Sequence, residues 1–87
     1  MLSYMDKNSI ENSNSVSLIY AFKVALDKEN YLLCRDIKNE LIERKQTGEL
    51  INELIIATER AYETQAKDFK DMQYDVFAEM LQEIKNI

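Results

Sequence analysis

Few of the 87 residues carry side chains suited to chemistry at neutral pH, and their types narrow that chemistry sharply. Histidine is absent, and with it the residue most used as a general base near neutrality. Ser-His-Asp and Cys-His nucleophile systems are excluded, as is the Glu-x-x-His di-iron motif. Cys34 is the sole cysteine, whereas a zinc site needs several Cys or His ligands. Gly48 is the sole glycine and cannot build a phosphate-binding loop. Carboxylates, lysines and five tyrosines remain.

Glu49/Glu53, Glu59/Glu63, Asp71/Asp75 and Glu79/Glu83 are each spaced i,i+4. Like charges at that spacing repel on a helix, so the pairs read as a solvated face. A divalent-cation site and a surface steering a basic partner are the functional alternatives. Arg35, Lys38, Arg44 and Lys45 interleave with Asp36, Glu40 and Glu43, which reads as a second solvated face, with acidic lipid or a partner as the alternative. Tyr4, Tyr20, Tyr31, Tyr62 and Tyr74 suit either the edge of a core or an interface. Cys34 sits beside an apolar stripe and reads as a small buried residue. No catalytic, cofactor-binding or metal residue is assigned; the chain is read as a non-enzyme without a cofactor, acting through a binding surface.

The net charge of −5 is uneven. Residues 1–48 hold seven acidic and seven basic side chains, and residues 49–87 hold nine and four. Nucleic-acid binders show a basic stripe instead. The first residues lack the apolar region of a signal peptide, no apolar run reaches membrane-spanning length, and a single thiol fits a reducing compartment. A cytoplasmic location is expected.

With one Gly and no Pro, the turn-rich sandwiches and barrels are excluded, leaving an all-α chain with short connections. Residues 1–14, rich in Ser and Asn, read as a flexible N-terminal leader, in which Leu2, Tyr4, Met5 and Ile10 are apolar enough to dock and give partial order, and residues 15–87 as a single helical bundle domain. A first helix is predicted over Val16–Lys28, capped by Asn14 or Ser15, with Leu18, Ile19, Phe22, Ala25 and Leu26 on one face. A second is predicted over Tyr31–Gln46, capped by Asn30, with the stripe Leu33, Ile37 and Leu41. It stops at Thr47-Gly48, where glycine supplies the left-handed position beyond a helix end. A third, over Glu49–Gln65, is apolar over a wide arc, as the most buried helix would be. A fourth, from Lys70 or Asp71 to Asn86, is capped by Asp68 or Asp71 and carries Phe69, Met72, Val76, Phe77, Met80, Leu81, Ile84 and Ile87. The expected architecture is an antiparallel four-helix bundle, monomeric rather than dimeric. Helical spacing also runs unbroken from Ile19 to Leu41 and from Ile51 to Met80, so the alternative is a hairpin of two long helices, hinged at Gly48, that dimerises.

Three stretches carry a family resemblance: Leu18–Lys45, with a Leu-Ile pair opening a helix before a leucine-spaced one; Gly48–Tyr62, where Leu50-Ile51 is followed by Leu54; and Phe69–Ile84, closing in Leu-x-Glu-Ile. Over about 70 residues the order of apolar positions resembles the enterocin A immunity family. Members protect bacteriocin producers from class IIa (pediocin-like) peptides. The resemblance implies a four-helix bundle in the producer's cytoplasm. It also implies a protein partner: the bacteriocin-locked membrane component of the mannose phosphotransferase system, met by peripheral association without a membrane span. Lys70 stands where members often place a capping Ser or Thr. The tail that helps set specificity in that family has no counterpart in these 87 residues. No partner-binding residue is carried over. A small acidic inhibitor or adaptor, such as an antitoxin or a phage-encoded blocker, is the alternative.

Overall fold

Local capping chemistry sets the helix boundaries. The computed structural model describes residues 6–65 and 73–87, and among them the chain forms five helices and no strand. Three helices open on an Asp or Asn whose side chain accepts an orphan backbone N–H. Asp6 accepts from Ser9 at 2.8 Å and opens α1, Lys7–Asn12. Asn14 accepts from Ser17 at 2.8 Å and opens α2, Ser15–Asp27. Asn30 accepts from Leu33 at 3.3 Å and opens α3, Tyr31–Gln46.

α2 ends in a complete Schellman closure. Glu29 adopts the left-handed region, φ 59°; its N–H donates to Leu26 O at 3.0 Å, and the Asn30 N–H donates to Ala25 O at 2.9 Å. The turn to α3 therefore takes three residues, and the unbroken spacing from Ile19 to Leu41 does not become one helix. Gly48 ends α3 at φ 85°, and the Leu50 N–H donates back to Arg44 O at 3.0 Å. That bond, and burial of the Leu50 side chain, hold residues 49–51 outside a helix. α4 accordingly spans Asn52–Gln65 rather than starting at Glu49.

α5 spans Tyr74–Lys85. At one end the Asn52 side chain donates to Lys85 O, and at the other the Tyr74 hydroxyl donates to Glu63. α5 thus lies antiparallel to α4. The two-long-helix hairpin is excluded, since α2 and α3 are separate helices and α4 and α5 run in opposite directions. The expected caps Asp68 and Asp71, the expected start at Lys70, and Phe69 and Met72 lie outside the described residues.

The core is supplied by α2 to α5. Leu18, Ile19, Ile37, Leu41, Leu50, Ile55, Phe77, Leu81 and Ile84 have almost no accessible surface. α2, not α4, is the most buried element. Ser15, Leu18, Ile19, Phe22, Lys23, Ala25 and Leu26 all face inward. On α4, Ile55 and Thr58 are buried, while Ile56, Ala57 and Ala61 are exposed. The wide arc expected to make α4 the most buried helix is only partly covered; among the described residues α4 packs chiefly against α2 and α5. The radius of gyration is 12.2 Å, near the ~12 Å expected of a compact chain this long.

Part of the leader is ordered. Residues 7–12 form α1, whose Ile10 is buried. A six-residue helix has too few turns to be stable alone, so its order comes from a partner elsewhere in the chain.

Candidate functional site

That partner is Arg44. It was read as part of a solvated basic face, yet it is 4% exposed. It falls three residues after Leu41, so it extends the stripe Leu33–Ile37–Leu41 into the interior. Its guanidinium donates from Nε to Glu40 Oε2 at 2.8 Å and from Nη1 to Ser15 Oγ at 3.1 Å. From Nη2 it reaches Ile10 O at 3.3 Å and Glu11 O at 3.1 Å. The last two are C-terminal carbonyls of α1, which need an outside donor. A planar fork of donors suits that task better than an ammonium does. The rest of the basic cluster is at the surface: Arg35 pairs with Asp36 at 3.1 Å, and Lys38 with Glu83 of α5.

The tyrosines divide. Tyr20, Tyr62, Tyr74 and Phe77 form one cluster where α2, α4 and α5 meet. The Tyr62 ring lies 6.0 Å from Tyr20, 6.0 Å from Tyr74 and 5.0 Å from Phe77 between centroids. Tyr62 is tilted against Tyr20 and Phe77 and stacked on Tyr74, arrangements that aromatic pairs favour, so Tyr20, Tyr62 and Tyr74 are core-edge residues. Burial first, then its 2.7 Å bond to Glu63 and the charges of Glu63 and Glu59, raise the Tyr74 hydroxyl's pKa far above its ordinary value. It stays protonated and serves as a donor. Lys23, 2% exposed, lies 5.7 Å from the Tyr62 ring centre and pairs with Asp27 at 2.8 Å. Tyr31 is 57% exposed at the start of α3, beside Leu32 at 64%. Tyr4 lies outside the described residues.

The carboxylate pairs do not form one solvated face. Glu59 pairs with Lys85 at 3.2 Å, linking α4 to α5; Glu63 accepts from Tyr74; Glu83 pairs with Lys38, linking α5 to α3. Glu49 is not helical, so it does not stack on Glu53. Asp71 is outside the described residues. No group of three or more Cys, Asp or Glu side chains among the described residues is placed to hold a metal ion. Cys34 is buried, as its position on the stripe predicts, and its thiol donates to Phe22 O at 3.8 Å. Burial pushes its pKa up, which disfavours the nucleophilic thiolate.

A groove of about 440 Å³ between α1 and α3 is lined by Glu11, Asp36, Glu40 and Glu43, with Lys7 and Ile10. Val24, Tyr31, Leu32, Ile51, Ile56, Val76 and Ile87 stand more than a third exposed. No described helix is long and apolar enough to cross a membrane. No protein-family model, curated protein or solved structure matches the chain.

Proposed function

We propose that this chain is a non-enzymatic immunity protein of the enterocin A type. It protects its cell from a class IIa bacteriocin by binding the bacteriocin–receptor complex from the cytoplasmic side. The reading rests on the resemblance of the three stretches. The observation that supports it best is where their residues lie in the fold. Leu18-Ile19 is fully buried in the opening turns of α2. Leu81 and Ile84 of the closing Leu-x-Glu-Ile are buried, with Glu83 between them paired to Lys38. The breaks after α2 and α3 fall where a four-helix reading of the stretches needs them. The test is expression in a sensitive lactic or listerial strain, challenged with a panel of class IIa bacteriocins. Survival against at least one peptide is expected; unchanged killing by every peptide counts against the reading.

A second reading, a small acidic inhibitor or adaptor, is favoured by one specific observation. Lys23 and Arg44 are buried, while no described Asp or Glu is. Contact surface is thus richer in carboxylates than the composition implies, and complementary charge raises the rate of encounter with a basic partner. Affinity capture from a host lysate is expected to return a stable basic partner, and an empty capture argues against this reading. The flanking genes separate the two: a bacteriocin precursor beside this gene favours the first, a toxin or phage gene the second.

A further inference from the structure

We propose that α1 is a detachable strap, which opens from α3 as a unit while α2 to α5 stay folded. The inference rests on how little holds this element and on how that attachment is built. α1 offers one buried apolar side chain, Ile10. Among the described residues, its other long-range attachment is the Arg44 fork on the carbonyls of Ile10 and Glu11. Its other bonds to described residues are local: the Ser9 N–H to the Asp6 carboxylate, the Asn12 side-chain amide to that of Asn8, the Ile10 N–H to Asp6 O at 3.0 Å, and the Ser13 hydroxyl and N–H back to Ser9 O and Ile10 O.

The space around it is open. The groove of about 440 Å³ runs along its α3 side, and a shallow cleft of about 670 Å³ runs beneath the link to α2, lined in part by Glu11, Asn12, Ser13, Arg44, Glu49 and Leu54. The link itself, Ser13 and Asn14, is extended at both residues, so it can swing without unwinding α2. An element with few buried apolar contacts and solvent on both flanks opens at a lower free energy than the core.

Opening is also chemically tolerable for what it leaves behind. Arg44 keeps Glu40 and Ser15 as partners, so no charge is stranded. Two guanidinium donors are then unfilled beside the slot vacated by Ile10. A fork of donors next to an apolar slot suits a segment like α1 itself: a branched aliphatic side chain just before free carbonyls or a carboxylate. The strap thus covers a spot on an otherwise acidic surface that offers positive donors.

Amide hydrogen exchange on the full chain tests the proposal. The Ile10 and Ser13 amides are expected to exchange together, at least about tenfold faster than those of Phe22 and Leu41. Arg44→Lys keeps the charge beside Glu40 but loses the fork. It is expected to speed Ile10 and Ser13 about tenfold further while the α2 and α3 amides hold their rates. Ile10→Ala is expected to do the same by removing the apolar anchor. Exchange of Ile10 and Ser13 at the core's rate in the unmodified chain overturns the proposal, because α1 then opens only with the whole fold. So does an Arg44→Lys chain that fails to fold, or an Ile10→Ala chain that speeds core and α1 amides alike.

Discussion

Replacing Glu29 by glycine is expected to stabilise this protein, although glycine normally weakens helical proteins. Glu29 holds φ 59°, where an L side chain crowds its own backbone at a cost of roughly 1–2 kcal/mol. The side chain is exposed, and both bonds of the closure are made by backbone N–H groups, so the substitution removes strain and breaks neither. Against this stands the greater freedom of glycine in the unfolded chain, about 0.4–1 kcal/mol. The net gain is about 0.5–1 kcal/mol, which for a domain this small is a rise of roughly 2–8 °C in Tm. Glu29→Gln is the control for charge, since it keeps the strain and loses the carboxylate; it is expected to leave Tm almost unchanged. The assay is thermal and urea unfolding followed by far-UV circular dichroism, with all variants at one pH. The sign decides between architectures. Were residues 19–41 one continuous helix, Glu29 would sit in its interior, and glycine there costs about 1 kcal/mol. A fall in Tm for Glu29→Gly, with Glu29→Gln neutral, would refute the turn and the reasoning built on it.

Other perturbations follow from the same geometry. Gly48→Ala is expected to lose about 0.5–1 kcal/mol in urea unfolding; a Cβ there meets nothing within 4 Å, so the loss reports φ 85° alone, and a neutral result contradicts that backbone. Cys34 has a raised pKa in the folded chain. Its contribution is therefore full below the ordinary value of 9.0 and is lost as pH rises beyond it, since the unfolded thiol ionises first. Cys34→Ala is expected to flatten the fall in stability above pH 9, and a thiol reagent should modify the native chain only as fast as it opens. Asp6 has a lowered pKa, caused first by the Ser9 N–H. Its cap acts above the ordinary carboxylate pKa and is lost as pH falls through the lower folded value. The Ser9 amide shift should titrate with a midpoint below 3.8, Asp6→Asn should abolish that titration, and a midpoint at or above 3.8 rules the cap out.

How much was legible in the sequence depends on how local each cause is. α3 has the predicted bounds, and α2 lies within a residue of its own, because Asn14 and Asn30 cap through bonds three residues long and Gly48 ends α3 locally. α4 starts three residues later than its apolar arc suggests, since Leu50 is drawn inward by a bond to Arg44 O. Docking of Ile10 is legible as an apolar residue in a polar leader, but the helix α1 is not, because one apolar residue in six makes no period; its local signal is Asp6 three residues before Ser9, and its anchor lies 34 residues along the chain. Arg44 itself was legible: its place after Ile37 and Leu41 marks an inward position, but charge weighed more than register. The carboxylate pairs show the converse. Spacing identified them, while their partners Lys85, Tyr74 and Lys38 belong to other helices and are visible only once the chain is folded.

The two functional readings meet on one consequence of that folding. The chain has eleven cations and sixteen acids, and among the described residues Lys23 and Arg44 are buried. Lys23 is sealed against Tyr62 and Asp27, and Arg44 against the carbonyls of α1, while their acidic partners stay wetter: the Asp27 side chain is 45% exposed and that of Glu40 17%. At long range the net charge is unchanged, but within a Debye length, about 8–10 Å in ordinary buffers, a docking partner meets carboxylates with their counter-charges beneath them. Such a surface repels nucleic acid and anionic lipid at close range. It is the surface that the second proposed reading, a small acidic inhibitor or adaptor, needs for a partner rich in lysine or arginine.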